Sequence, residues 1–252
     1  MIPKYLHYCW LSGDPFPDFI KSCMDTWVEC LPGWELVCWD MSRFDIESVP
    51  YVHQACQHRK WAFAADYIRL HALAEFGGLY LDSDVSLHGD LSPMLQHRCV
   101  IPVEYHQDIF ESTEADKLLD SNGKPLQFGK GVPGVGLQAA LMASEPGHPF
   151  IKDCLAWYEN RSFVVKDAQI QQQEIAPTIY ARVAEDYGFL YKNENQYLRE
   201  DFFVPSNHYF AGTKNAKTPH SLAVHNCAGS WRGSTPSFFS RGLAKLGKLV
   251  KG

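Results

Sequence analysis

Residues 59–76, RKWAFAADYIRLHALAEF, repeat Ala, Leu and aromatic side chains at helical spacing with no Pro or Gly among them, and Gly77-Gly78 closes the run. The spacing predicts one helix, apolar almost all round and therefore largely buried. Beyond it the period changes to two. Leu79, Leu81, Val85 and Leu87 alternate with Tyr80, Asp82, Asp84 and Ser86, as in a strand with one buried face. On one extended segment, Tyr80, Asp82 and Asp84 fall on the same side. Nearer the start, residues 2–10 and 34–39 are short apolar runs that read as strands, with a helix over 19–30 between them. A further strand is predicted over 100–104 and a helix over 151–158. Strand–helix–strand order predicts an α/β domain with a mostly parallel sheet. Such sheets bind ligands at the carboxyl ends of their strands, where Trp10 and the Asp82/Asp84 pair both fall.

Two carboxylates two residues apart repel each other at neutral pH. A divalent cation relieves that repulsion, and hard oxygen ligands suit Mg2+ or Mn2+ while leaving positions for substrate phosphate oxygens. The plainer reading is a pair of solvated aspartates at a strand end. Asp66 and Arg69 stand three apart on one face of the predicted helix. Either they pair with each other, or Arg69 meets a phosphate or sugar hydroxyl while Asp66 orients it or binds the sugar. The order buried helix, Gly-Gly, strand, Asp-x-Asp is more specific than any of its parts.

Composition narrows the class. The chain has 252 residues, 46% of them hydrophobic, enough for a core, and its net charge of −6 argues against nucleic acid as the main partner. No run approaches the ~20 apolar residues of a membrane span, and no signal peptide is read before the first strand. The eight cysteines are scattered without Cys-x-x-Cys pairs, which predicts reduced thiols and, with the preceding point, a cytoplasmic location. The glycine-rich stretch 131–136 lacks a P-loop Lys-Ser/Thr and reads as a loop. No linker divides residues 1–231. In the tail, 232–252, Arg241, Lys245, Lys248 and Lys251 oppose Phe239, Leu243, Leu246 and Val250 on a helical wheel. Such a tail lies on an anionic membrane, packs on the domain or stays unfolded; Gly242 and Gly247 weaken it as a helix.

Residues 2–10 (IPKYLHYCW) with Gly13, 63–70 (FAADYIRL), 80–84 (YLDSD) and 223–231 (AVHNCAGSW) stand in an order that resembles the glycosyltransferases carrying a DXD-containing sugar-binding region. These include bacterial capsule and O-antigen transferases, the yeast initiating mannosyltransferase and, more distantly, the clostridial glucosylating toxins. The resemblance implies a GT-A fold, with a nucleotide-sugar lying across the carboxyl ends of the strands. It implies that Trp10 stacks on the base while the backbone of Tyr8 and Cys9 meets the base edge. Asp66 and Arg69 would contact donor sugar and phosphate, Tyr80 the ribose or diphosphate, and Asp82 ribose and metal-bound water. Asp84 would bind Mn2+ or Mg2+ directly, with His225 as a further ligand, and Ser230 and Trp231 would close over the diphosphate. The implied reaction is metal-dependent transfer of a hexose, with retention, from a nucleoside diphosphate sugar to a bacterial surface glycan, lipid-linked in the simplest case. UDP-galactose is the first donor expected. Residues 171–174 either face the anomeric carbon or form a solvated polar face, and Ala176-Pro177-Thr178 stands where the family has a Thr-Gly-Pro-like turn. A silent sugar-nucleotide-binding module and a metal-dependent phosphohydrolase are the alternatives.

Overall fold

The computed structural model describes residues 1–159, 161–163, 165–166, 169–170, 174–213 and 217–227. β1 (Tyr5–Cys9) leads into α1 (Asp18–Cys30), which buries Ile20, Cys23 and Trp27, and the chain returns as β2 (Glu35–Trp39). β2 runs parallel to β1 with Tyr5 opposite Glu35. After α2 (Pro50–Gln57) comes α3 (Trp61–Phe76), the predicted apolar helix, ten of whose sixteen residues are buried, Asp66 and Arg69 among them. Gly77 ends it at φ +64°, its N–H donating to Leu73 O at 3.0 Å. β3 (Gly78–Leu81) then enters the sheet parallel to β1, with Leu6 opposite Leu79. A Cβ on Gly78 would lie 2.5 Å from Tyr5 O, and one on Gly77 2.6 Å from Pro146 Cδ, so this junction accepts no side chain.

The chain continues through β4 (Val85–Leu87), β5 (Cys99–Val100), β6 (Val103–Tyr105), α4 (Gln107–Ser112), β7 (Val135–Leu137), β8 (Leu141–Ser144) and α5 (Pro149–Glu159). Then follow the short pair β9 (Val165–Lys166) and β10 (Gln169–Ile170), α6 (Ala176–Glu185), β11 (Gln196–Leu198), β12 (Phe202–Val204), β13 (Phe210–Ala211) and β14 (Ala223–His225). Seven strands form the main sheet in the order β11-β12-β5-β8-β3-β1-β2, and a smaller sheet is ordered β13-β14-β4. The α/β class expected from the sequence holds, and Trp10 and Asp82 follow the carboxyl ends of β1 and β3, the arrangement expected of a GT-A fold.

Four expectations need correction. The main sheet is mixed: β8 runs antiparallel to both β3 and β5, and β11 is antiparallel to β12. The segment 79–87 is two strands in different sheets, interrupted at Asp82-Ser83-Asp84 by a turn in which Val85 N–H donates to Asp82 O at 2.9 Å. The predicted strand 100–104 also divides, because Pro102 has no N–H to give a ladder; β5 stays in the main sheet while β6 pairs with β7. Part of the glycine-rich stretch, read as loop, is the start of β7.

All eight cysteines are free thiols. Among the described residues, no helix is long and apolar enough to cross a membrane. Ser230, Trp231, the boundary at residue 231, the tail 232–252 and residues 171–173 lie outside the described residues.

Candidate active site

The turn after β3 brings the two aspartates together, and β14 supplies the third group. His225 stands opposite Val85 in the β14–β4 register, one residue from Asp84. Its Nε2 lies 3.3 Å from Asp84 Oδ1 and 4.0 Å from Asp82 Oδ2. One ligand atom from each of Asp82, Asp84 and His225 lies within 4.8 Å of the others. Asn226 holds the turn, its Nδ2 and N–H donating to Asp84 O at 2.8 and 3.1 Å. Burial works against the charged form of His225, yet its pKa is raised well above the ordinary value by hydrogen bonds with Asp84 and Cys227 and by the charges of Asp84 and Asp82. The imidazolium proton thus offsets two converging carboxylates, a task that a divalent cation performs with the same donors. Two carboxylates and an imidazole fit Mn2+, and Mg2+ less well because of the nitrogen.

Beneath this cluster Arg69 is almost wholly buried. Its Nη2 lies 3.2 Å from Asp82 Oδ1 and 3.3 Å from Asp66 Oδ1, so it pairs with both carboxylates. Its Nη1 donates to Ala139 O at 2.7 Å and its Nε to Ala65 O at 3.2 Å, while its guanidinium lies 4.8 Å from the Tyr80 ring centroid. Tyr80 OH donates to the same Asp82 Oδ1 at 2.9 Å. Asp82 is therefore clamped by one oxygen and offers the other toward His225. Burial raises the Asp66 carboxyl to about 7, Arg69 opposing and Asp82 adding to the rise. Tyr180 OH on α6 reaches the Asp66 carbonyl at 3.4 Å.

The residues expected at the nucleotide end diverge. Trp10 is half-buried, its indole N–H donating to Asp14 O at 2.6 Å and its ring tilted against Phe16 with centroids 4.7 Å apart. Tyr8 is buried between Phe16 and Trp27, so its ring belongs to the core. Cys9 faces the other way, near Tyr80 and Arg69, and burial pushes its thiol up to about 12, which keeps it neutral.

Sequence reasoning missed Gln138 and Asn226. Gln138 is 3% exposed, and its Oε1 has no hydrogen-bond partner among the described residues. With His225, Val85, Ala140 and Phe210 it lines a small cavity under the acidic cluster. The available signal was a single polar residue in the apolar run 135–143, VGLQAALMA.

Residues 17–101 match the family model described as glycosyltransferase sugar-binding region containing DXD motif. That span contains Asp66, Arg69, Tyr80, Asp82 and Asp84, and it bears out the family resemblance read from residues 63–70 and 80–84. The blocks at 2–10 and 223–231 lie outside it. Over 100 residues, 38% of the chain, the sequence is 30% identical to inositol phosphoceramide mannosyltransferase 3 of Schizosaccharomyces pombe. The match spans 28% of that relative's length. Among solved structures, the PaToxG glycosyltransferase is similar with a TM-score of 0.49 and 14% identity, over 73% of this chain and 69% of that one. The galactosyltransferase LgtC in complex with donor and acceptor sugar analogs has a TM-score of 0.42 and 11% identity, over 98% and 96%. Mouse xyloside xylosyltransferase 1 has a TM-score of 0.46 and 10% identity, over 89% and 84%.

Proposed function

We propose that this chain is a metal-dependent, retaining glycosyltransferase that moves a hexose from a nucleoside diphosphate sugar to a glycan hydroxyl. The observation that carries the reading is the convergence of Asp82, Asp84 and His225 above a buried Arg69, within a chain matching a DXD sugar-binding region. Asp84, His225 and the free oxygen of Asp82 would hold Mn2+ or Mg2+, which when bound neutralises charge on a departing diphosphate. The residues of the chain do the rest. Arg69 and Tyr80 fix the carboxylate of Asp82, and the guanidinium adds a permanent positive charge behind the site. Asp66, held by Arg69, is assigned to the donor sugar. Trp10 is assigned to the base; Tyr8, whose ring is core, and Cys9 would contribute only backbone there. Ser230 and Trp231 are assigned to closure over the diphosphate, which excludes water and limits hydrolysis. Retention follows the family resemblance, and no protein nucleophile is assigned.

UDP-galactose is the first donor to test, followed by UDP-glucose, UDP-N-acetylglucosamine and GDP-mannose, the last also suggested by the name of the fungal relative. That name, with its lipid acceptor, also supports an acceptor carried on lipid; a bacterial surface-polysaccharide intermediate assembled at the inner face of the cytoplasmic membrane is the acceptor proposed. The test is nucleotide release from this donor panel in Mn2+ against an EDTA control. Metal-dependent release from one donor supports the reading. A phosphatase activity that survives Asp84→Ala would show the assignment of the site to be wrong.

A further inference from the structure

The β6–β7 pair extends past the main sheet on the side of the acidic cluster. β8 is antiparallel to both β3 and β5, so β3 and β5 point the same way, and β6 continues β5 beyond the carboxyl edge at which Asp82 stands. The two faces of this pair differ. Val103, Val135 and Leu137 turn one face into the core. The other bears Gln138, Glu104 and His106. Gln138 N–H donates to Pro102 O at 2.8 Å, Glu104 stands opposite Gly136, and His106 N–H donates to Gly134 O at 2.8 Å. Gln138 lines the cavity it shares with His225, so the polar face is the one turned toward the cluster. Diagonal neighbours on antiparallel strands lie about 7–8 Å apart, which puts Glu104 about one sugar ring beyond Gln138. A Cβ on Gly136 would lie 2.9 Å from Pro177 Cβ, so the first turn of α6, the helix that carries Tyr180 to the Asp66 carbonyl, closes over the strand there.

Glu104 and His106 form a half-buried pair, with Glu104 Oε1 2.9 Å from His106 Nε2 and side chains 19% and 40% exposed. That hydrogen bond raises the pKa of His106 against the effect of its burial, so its proton balances the carboxylate. Glu104 Oε2 and His106 Nδ1 enter no hydrogen bond among the described residues, and neither is sealed from solvent. Side by side they offer one acceptor and one donor, the combination that takes up two neighbouring hydroxyls. No lysine or arginine pairs with Glu104 among the described residues, so a phosphate or uronate placed here would find no full counter-charge beyond the imidazolium already spent on Glu104. On the transferase reading, on which this inference rests, we propose that Glu104 and His106 form the acceptor subsite and hold neighbouring hydroxyls of an uncharged hexose, one ring beyond the sugar being transferred.

The test is saturation-transfer NMR on the full chain with Mg2+ and UDP or, separately, GDP, using the methyl glycosides of galactose, glucose and mannose as probes. The wild-type chain is expected to bind at least one of them. Glu104→Gln and His106→Gln should each weaken that binding by about tenfold or more, with nucleotide affinity in calorimetry and melting temperature unchanged. A wild-type chain that binds none of the three glycosides overturns the proposal, as do variants that bind them like wild type. Variants that lose nucleotide and glycoside together also overturn it, because the pair then only supports the fold. Glycoside binding that depends on the pair in a chain that binds neither nucleotide would keep the sugar site and contradict the transferase reading instead.

Discussion

Arg69 Nη2 and Asp82 Oδ1 lie 3.2 Å apart, joining the middle of α3 to the residue just beyond β3. The arginine is buried, and removing it would strand two carboxylates, Asp66 and Asp82, in a poorly solvated site. Breaking a buried pair in this way costs about 3–5 kcal/mol. Arg69→Met should therefore lower stability by that order in chemical denaturation. Arg69→Lys keeps the charge but cannot reach both carboxylates and Ala139 O together. It should retain more stability while weakening Mn2+ affinity by about 10–100-fold, the cost of disturbing a group that orients a ligand.

The Gly77-Gly78 junction should be intolerant for steric reasons. At Gly78, φ is +108° and an added Cβ would meet Tyr5 O at 2.5 Å, so Gly78→Ala should cost more than about 2 kcal/mol. Gly13, at φ +72° with open space around it, provides the control: Gly13→Ala should cost about 1 kcal/mol, the backbone term alone. Urea denaturation of both variants measures the difference.

His7 makes stability depend on pH. It is buried under the same junction, its Nε2–H donating to Gly77 O at 2.8 Å and its Nδ1 accepting from Trp39 Nε1 at 3.1 Å. Burial lowers its pKa from 6.5 to about 4. The unfolded chain therefore takes up this proton first as pH falls. The stability contributed by neutral His7 is fully present above 6.5 and is lost as pH drops toward 4, in total about 3 kcal/mol. His7→Gln, which can donate and accept but has no such proton to gain, should flatten that part of the pH profile in denaturation titrations.

Much of the scaffold was readable because its signals are local. The helix predicted over 59–76 is Trp61–Phe76, since an uninterrupted apolar run and a double glycine leave little choice. The break in the Asp-x-Asp segment was hidden for a definite reason. Leu81 and Val85 keep the two-residue alternation in phase across the turn, so one strand and two strands give the same pattern. The direction of β8 was equally hidden, because a fully buried strand has the same side-chain pattern either way. At the site, Asp66 and Arg69 could be paired from their spacing, but the Arg69 bonds to Asp82 and to Ala139, the latter 70 residues away, exist only in three dimensions. So does the cavity that unites Gln138 with His225.

His225 should set metal preference. Its imidazole is the one nitrogen among the clustered donors, so His225→Asp, giving an all-oxygen set, should shift relative affinity from Mn2+ toward Mg2+. Competition between the two ions, followed by the electron paramagnetic resonance of free Mn2+, reads the change directly.

The central claim is that the acidic cluster binds a nucleoside diphosphate through a divalent ion. Calorimetric titration of UDP and GDP into the wild-type chain and Asp84→Ala, each in Mn2+ and in EDTA, tests it most directly. The account predicts saturable binding of one nucleotide by the wild-type chain in Mn2+, weakened by at least about tenfold in EDTA and likewise by Asp84→Ala. Equal binding with and without metal, or binding unchanged in Asp84→Ala, would contradict it.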